Sequence, residues 1–304
     1  MPEFAHLQDG TPYRRFQPPL PLDERWTLPD DGEGADLRAR WTEHRQRLEG
    51  IGRFDEFIAR VLGRWAEDGT LARPIPGAGL NAAELLLSAA CDAAVVAYLD
   101  PNDASKAVPD LPTETARSTA ARILLRPLVH DADLTPADFA QLQALICPKL
   151  KPSELHGAKH DKPPNGGRGR FRVHRAMVLG SDRVFKEAAP PERVITLMVE
   201  VVNANARARR AGVPAIVRAA WIVYAVSVVH PFYDGNGRIA RLAGSLALIR
   251  RRKLPFILPP DSHGRYMDAM GAARRGEPRT LIDLVAQAQH RLMASCLDAG
   301  AGHW

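Results

Sequence analysis

Apolar residues recur at helical spacing along most of this chain. In these stretches apolar side chains stand three or four positions apart, which is typical of helices that bury one face. The alternation of apolar and polar side chains at 171–184, with a turn at Gly180-Ser181-Asp182, instead predicts a β-hairpin. The pattern therefore predicts an all-α fold with one hairpin. The predicted helices cover 37–65, 85–99, 115–126, 136–147, 215–229 and 280–297, and another begins after Pro190.

Polar residues and prolines indicate where several of these helices begin. Thr135 followed by Pro136 supplies a capping side chain and a first-turn proline. Thr280 with Asp283 is a capping pair for the last helix. The helix after Pro190 carries an apolar stripe that we expect in the core, formed by Val194, Leu197, Met198, Val201 and Val202.

The longest apolar stretch leads directly into a polar segment. Residues 215–229 contain one charge, Arg218, and predict a buried helix that ends at His230. Because a proline disfavours the helical conformation for the residue before it, Pro231 favours a turn at His230. The segment from His230 onward is the strongest candidate for a functional site.

This segment contains a base, a carboxylate and several anion-binding groups. A neutral histidine can take a proton from an attacking hydroxyl, and a carboxylate is a ligand that Mg²⁺ prefers. The glycines allow backbone N–H groups at a helix start to approach an anion, and two arginines three positions apart share a helical face. These features favour a di- or triphosphate ligand; a plain polar loop would not explain the histidine and arginines together. The segment is His230-Pro231-Phe232-Tyr233-Asp234-Gly235-Asn236-Gly237-Arg238-Ile239-Ala240-Arg241.

The same residues resemble the signature of the Fic family, H-x-F-x-[DE]-G-N-G-R-x-x-R, and match it at every specified position. The resemblance extends over roughly 133–293, and the predicted hairpin is similar to the flap of that family. It implies a Fic-type helical bundle with one β-hairpin flap. The implied organisation is an irregular N-terminal arm at 1–34, an N-terminal helical region at 35–130, a Fic domain at 131–297 and a C-terminal tail at 298–304.

The resemblance also implies a role for each residue of the signature. His230 is similar to the general base of the family, Phe232 to its core anchor and Asp234 to its magnesium ligand. Most family members transfer AMP from ATP to a hydroxyl side chain of another protein. The resemblance therefore implies a protein adenylyltransferase with Mg²⁺ as cofactor and ATP as substrate, whose target protein docks on the flap at 171–185. The residues implied to bind the phosphates are Gly235, Asn236, Gly237, Arg238 and Arg241.

Two features differ from the family pattern. Many relatives have Ala-Asn-x-Gly, with the asparagine at the nucleobase, where this chain has Ala273-Arg274-Arg275-Gly276, so adenine recognition has less support than phosphate recognition. Tyr266 resembles a residue that packs near the base, although an aromatic residue on a helix is more often part of a core. The inhibitory pattern [ST]-x-x-x-E-[GN] does not occur in the sequence. Restraint by a separate, antitoxin-like chain is expected, unless a glutamate such as Glu49 reaches Arg241.

Two further functions stay open beside adenylyl transfer. The first is transfer of another phosphate-containing group, such as UMP, phosphate or phosphocholine, by the same site. The second is a Fic scaffold that binds a nucleotide or a partner without catalysis.

Composition adds only broad constraints. The chain has 304 residues, of which 45% are hydrophobic and 25% charged, as is typical of soluble globular proteins. Its net charge of +6 comes from basic residues spread along the chain without a nucleic-acid-binding motif, so no specific nucleic acid is expected as a partner. The three widely spaced cysteines predict neither a disulfide framework nor a zinc site. Without a signal-peptide pattern or a bilayer-spanning run, we expect a cytoplasmic protein and no membrane partner; an effector exported by a dedicated machine would have the same features.

Overall fold

The computed structural model describes residues 4–7, 10–28, 35–52, 133–146, 167, 169–251, 253–258 and 262–301. The predicted helices at 85–99 and 115–126, and the second part of the one at 37–65, lie outside these residues. The mostly helical fold with a hairpin is confirmed. In chain order the elements are β1 (Phe4–His6), β2 (Pro12–Arg14), α1 (Ala35–Gly50), α2 (Pro136–Ile146), β3 (Met177–Leu179), β4 (Phe185–Glu187), a 3₁₀ turn (Pro191–Arg193), α3 (Val194–Arg210), α4 (Ala215–Val229), α5 (Asn236–Ile249), α6 (His263–Arg274) and α7 (Arg279–Ala301).

Helix α4 forms the centre of the core. It is apolar around its whole circumference and is therefore buried on nearly all sides, with α3, α5 and α7 packed against it. The predicted helix at 215–229 is confirmed with the same ends. At His230 the backbone turns into the left-handed region, with φ 51° and ψ 59°. The first residue of the candidate site is thus fixed at the end of the most buried helix.

The start of α2 is confirmed, whereas the predicted cap of α7 is wrong. The backbone N–H and hydroxyl of Thr135 both donate to Asp138 Oδ2, at 2.6 and 2.7 Å, and the Asp138 N–H donates back to Thr135 Oγ1 at 3.3 Å. Helix α7 begins one residue before Thr280, because the carbonyl of Pro278 already accepts hydrogen bonds from the N–H groups of residues 281 and 282. It continues through Ala301, so the first part of the predicted tail is helical.

Helix α3 follows Pro190 and Pro191 through one 3₁₀ turn. Four members of the predicted stripe are buried, and Val202 packs partly buried against the same core, which confirms the prediction. The opposite face carries Ile195 and Val199, which are 60% and 42% exposed. The helix therefore separates the core from an apolar patch at the surface. The buried residues are Val194, Leu197, Met198 and Val201.

The predicted hairpin is present but shorter than expected. Strands β3 and β4 pair antiparallel, and the turn closes through the Gly180 N–H, which donates to the Val184 carbonyl at 3.0 Å. Residues 171–176 were predicted to continue the first strand, and this is wrong. The backbone N–H of Arg172 donates to Pro231 O at 2.9 Å, so the chain at this residue is held by the candidate site, whereas Ala176 O accepts the N–H of Ala188 at 2.9 Å, directly after β4.

The N-terminal arm is not irregular throughout, which corrects the prediction for 1–34. Strands β1 and β2 form an antiparallel pair, and β2 pairs parallel with β4, with Tyr13 opposite Phe185. The resulting sheet has the order β1-β2-β4-β3. Strand β2 therefore provides hydrogen-bond partners for the backbone of β4. The two strands are far apart in the chain, and the local sequence pattern does not predict that they pair.

Beyond β2 the arm lies along the buried helix α4. The indole N–H of Trp221 donates to Leu20 O at 2.9 Å, and the Leu20 N–H donates to the Tyr224 hydroxyl at 3.3 Å. Trp26 is buried against the ring of Tyr224, with 5.4 Å between the ring centroids. The arm is therefore part of the packed structure. None of the helices that the structure describes combines the length and the apolar character needed to cross a membrane.

Candidate active site

His230 lies at the C-terminal end of α4, where its backbone N–H donates to Val226 O at 2.9 Å. Burial lowers the pKa of the imidazole to about 4, and the positive charges of Arg172 and Arg274 act in the same direction. The residue nevertheless keeps part of its surface exposed. At neutral pH the ring is therefore uncharged and able to accept a proton.

Asn236 holds the loop that follows His230. Its Oδ1 accepts the N–H of Phe232 and its Nδ2 donates to the carbonyl of the same residue, both at 2.8 Å. Phe232 is completely buried and its ring stacks on Phe171, with 5.2 Å between centroids. The expected anchoring role of Phe232 agrees with this burial. Because the Asn236 side chain is engaged in the loop, only its backbone N–H is available for the predicted phosphate contact.

Arg172 is a positioning residue that the sequence pattern does not single out. Its guanidinium donates to His230 O at 2.7 Å, to His174 O at 2.8 Å, to Val229 O at 3.2 Å and to Ala189 O. It is buried, and burial lowers its pKa to about 10, which leaves it charged at neutral pH. The one signal in the sequence is a charged residue within the alternating stretch at 171–184. Arg172 therefore joins the flap region to the backbone at His230.

The turn at Gly235 directs the backbone into α5. Gly235 has φ 80°, in the left-handed region that glycine adopts without strain, and is the N-cap of α5. Gly237 was expected to use the same freedom, but it lies inside α5 without a positive φ. A side chain there would begin 3.4 Å from Arg241 Nη1, so this glycine leaves space beside the arginine. The helix N-terminus presents N–H groups toward this space, as an anion-binding site requires.

Asp234 and Arg238 form an ion pair across the first turn of α5. Arg238 Nη2 lies 2.9 Å from Asp234 Oδ2, and the other carboxylate oxygen accepts the N–H of Gly235 at 2.6 Å. The Asp234 side chain is 49% exposed, which leaves its carboxylate accessible from solvent. The predicted magnesium ligand and one predicted phosphate ligand are thus brought together.

Arg241 lies beside the residue that was predicted to contact the nucleobase. Its guanidinium carbon is 6.0 Å from the ring centroid of Tyr266, a distance suited to a cation–π contact. Tyr266 is 95% buried and belongs to the core cluster. The structure therefore places Tyr266 next to the arginine and in the core at the same time.

The surroundings of His230 contain an excess of positive charge. Arg274 occupies the position where many Fic relatives have asparagine, and its charge helps to lower the pKa of His230. Burial lowers the pKa of Arg274 and also that of Lys186 on β4. Lys186 Nζ lies 3.4 Å from Asp182 Oδ1, and Arg14 lies 3.9 Å from the same carboxylate. This distribution favours an anionic ligand.

Glu49, considered as a possible brake on Arg241, lies near the end of α1. Its carboxylate is 3.6 Å from Arg45, four positions earlier on the same helix. Helix α1 packs against α7. The ion pair that the structure describes for Glu49 therefore joins two residues of the same helix, Arg45 and Glu49.

Among the described residues no group of three or more His, Cys, Asp or Glu side chains is arranged to hold a metal ion. Asp234 is the carboxylate nearest to the turn at Gly235 by sequence and is exposed to solvent. Mg²⁺ in phosphate-binding sites commonly takes one or two carboxylates, with phosphates and water completing its coordination. Asp234 fits that limited role.

Comparison with known proteins agrees with this geometry. The model of the Fic/DOC family matches residues 133–248, the part of the chain that contains α2, the flap, α3, α4 and most of α5. These residues are therefore similar to the Fic/DOC family. Protein adenylyltransferase fic-1 of Caenorhabditis briggsae is 34% identical over 97 residues, which are 32% of this chain and 19% of that protein. The chain thus spans about a fifth of the length of the curated relatives it matches.

Solved structures share the fold at lower sequence identity. A Fic domain containing signaling protein from Bacteroides thetaiotaomicron aligns with a TM-score of 0.50 and 15% identity, over 93% of this chain and 96% of that chain. A Fic family protein from Desulfovibrio desulfuricans aligns with a TM-score of 0.50 and 16% identity, over 95% of this chain and 79% of that chain. These similarities support the Fic-type fold and no finer property.

Proposed function

We propose that this protein is an adenylyltransferase that moves AMP from ATP to a hydroxyl side chain of a target protein. The observation that carries the proposal is the position of a neutral His230 directly before a helix N-terminus that also presents Arg238 and Arg241. The related proteins named protein adenylyltransferase support the same reaction. A base and an anion site in one short segment are what hydroxyl attack on the phosphoanhydride of ATP requires.

The reaction is a displacement at the α-phosphorus of ATP. The target oxygen forms a bond to this phosphorus while the bond to the β-phosphate oxygen breaks, and pyrophosphate leaves. The proton of the target hydroxyl passes to the unprotonated nitrogen of His230. Arg172 fixes the carbonyl of His230, and Asn236 fixes the loop behind it, so the imidazole is held in place before substrate binds.

The phosphates are received by the turn at Gly235, the N-terminus of α5 and the two arginines. Phosphate oxygens compete with Asp234 for Arg238, so we expect the ion pair between these residues to open when ATP binds. Mg²⁺, held by Asp234 when bound, would neutralise phosphate charge and help the leaving group depart. Arg241 remains beside Tyr266 and can contact the outer phosphates.

The target segment is proposed to dock on β3. Strand β2 already pairs with one side of β4, while β3 forms an outer strand of the described four-stranded sheet. Leu179 on β3 is 50% exposed, and an extended peptide could pair with this edge through its backbone. Once a target is identified, its peptide should lose binding when alternate backbone nitrogens are methylated, because methylation removes the pairing donors.

The proposal is tested by incubating the protein and its His230→Ala variant with a cell lysate and ATP labelled at the α- or the γ-phosphate. Label from the α-phosphate alone, dependent on His230, supports adenylyl transfer, and mass spectrometry of the product identifies the added group. Label from the γ-phosphate would indicate phosphate transfer instead. ATP binding by calorimetry without any transfer would indicate a non-catalytic scaffold and contradict the proposal.

A further inference from the structure

A second charged cluster lies at the opposite end of α5 from the Fic signature. Asp133 accepts from Arg209 Nη2 at 3.1 Å and from Arg250 Nη1 at 3.2 Å, and the three side chains are at most 13% exposed. At a rise of about 1.5 Å per residue, Arg250 is roughly 18 Å along the helix from Arg238. The cluster is therefore separate from the proposed active site.

Arg218 brings another positive charge to this cluster. It is 1% exposed, and it donates from Nε to Val213 O and from Nη1 to Asn205 Oδ1, both at 3.2 Å. Within the described ranges no carboxylate lies at ion-pair distance from Arg218, and Nη2 has no hydrogen-bond acceptor. Asp133, which attracts it from further away, is already shared by two arginines. A buried charge without a counter-charge is costly, so an external anion would be favoured here.

Arg218 and Arg250 both line a pocket between α2, α3, α4 and α5. The other two polar residues of the lining are Asp133 and Asn205. Apolar side chains form a larger part of the pocket lining than these polar residues do, which matches a ligand whose surface is mostly hydrocarbon. It consists of Leu134, Phe139, Val201, Ile222, Leu246 and their neighbours.

We propose that this pocket binds a small organic carboxylate with a compact apolar body. The carboxylate accepts hydrogen bonds from Arg218 Nη2 and is attracted by Arg250, while the apolar body packs against Phe139, Ile222 and Leu246. A phosphate dianion fits less well, because Nε and Nη1 of Arg218 are already engaged and most of the lining offers no donors. Burial, together with repulsion from the neighbouring arginines, lowers the pKa of Arg218 to about 10, and a bound anion would supply the counter-charge that opposes this lowering.

The test measures binding by calorimetry, with hexanoate and benzoate as probes and their neutral analogues hexanol and benzyl alcohol as matched ligands. We expect the carboxylates to bind at least tenfold more tightly than the alcohols. Arg218→Met should lose that preference, whereas Arg279→Met, on the exposed side of α7, should keep it. Ala247→Leu leaves Arg218 in place and adds volume to the pocket lining, so it should weaken benzoate binding even if Arg218→Met does not fold.

Several results would overturn the proposal. Equal affinity for carboxylates and alcohols would show that the cluster does not recognise an anion. Binding of chloride or inorganic phosphate alone would indicate a simple ion site and exclude the organic class. Unchanged benzoate affinity in both Arg218→Met and Ala247→Leu would place the binding elsewhere. Because none of these substitutions changes a residue of the proposed active site, ATP-dependent labelling can be followed in the same samples, and its failure is a separate result.

Discussion

Asp234 and Arg238 are held together at 2.9 Å across the first turn of α5. One is the predicted ligand of Mg²⁺ and the other a predicted ligand of phosphate, and in this structure each neutralises the charge of the other. The pair is partly exposed, and exposed ion pairs of this kind typically contribute at most about 1 kcal/mol to stability. A bound triphosphate can therefore separate them at little cost.

Removal of either arginine should reduce transfer strongly. For Arg238→Ala and Arg241→Ala we expect kcat/KM to fall by an amount equivalent to roughly 2–4 kcal/mol, since both would stabilise charge that develops on the phosphates. The exposed Arg279→Ala serves as the matched loss of an arginine and should leave kcat/KM unchanged. An arginine whose removal has no effect does not belong to the phosphate site.

The pH dependence of the rate should reflect the lowered pKa of His230. With a pKa of about 4, the imidazole remains unprotonated throughout the range from about pH 5.5 to 8, so kcat/KM should show no loss near pH 6.5 that is caused by this residue. Activity should decline only as pH falls toward 4. The measurement is a profile of kcat/KM against pH, and an acid limb centred near 6.5 would contradict burial of the base.

The same pKa predicts a pH-dependent contribution to stability. Between about pH 6.5 and 4 the unfolded His230 binds a proton that the folded ring excludes, so the free energy of unfolding should fall as pH is lowered through this window. The loss should approach about 3 kcal/mol at most. Urea denaturation of wild type and His230→Gln at pH 7 and pH 4.5 isolates this effect, because the variant should lack it. If the free energy of unfolding fell equally in both proteins between pH 7 and pH 4.5, the pKa of His230 would not be lowered in the folded state.

Arg172 should be needed both for stability and for catalysis. Arg172→Lys keeps the charge but cannot direct hydrogen bonds to all four carbonyls, so we expect a loss of roughly 2–4 kcal/mol in the free energy of unfolding. Because one of these carbonyls belongs to His230, kcat should fall while KM for ATP changes little. The exposed neighbour Arg170 provides the control, as Arg170→Lys should alter neither quantity. A folded Arg172→Lys protein with normal kcat would show that the contact does not position the base.

The isolated protein should be active without a mutation that releases a brake. Glu49 is 3.6 Å from Arg45 on its own helix, so Glu49→Gly is expected to give no gain in a transfer assay. Glu43→Gly, on the exposed face of the same helix, controls for the effect of glycine on α1. A large gain for Glu49→Gly alone would reveal a built-in restraint. It would also remove the reason to expect a separate inhibitory chain.

Local sequence determined the parts of the structure that depend on neighbouring residues. The ends of α4 followed from an apolar stretch with one charge and a proline after His230, and the start of α2 followed from Thr135 and Pro136. The site residues from His230 to Arg241 were predicted from their chemical types, because they lie within one turn and the helix that follows it. The left-handed glycine at 235 was similarly predictable, since few other residues adopt that conformation.

Tertiary structure decided what depends on residues far apart in the chain. The strand order β1-β2-β4-β3 joins Tyr13 to Phe185, a pairing that no local period encodes, and it gave the arm the strands that its sequence did not predict. Arg172 became a positioning residue only because folding brought it against the carbonyl of His230. The low pKa of His230 and the buried charge of Arg218 likewise result from the surroundings that packing creates. Sequence specified the groups available for chemistry, and the packing of distant elements set their charge, contacts and accessibility.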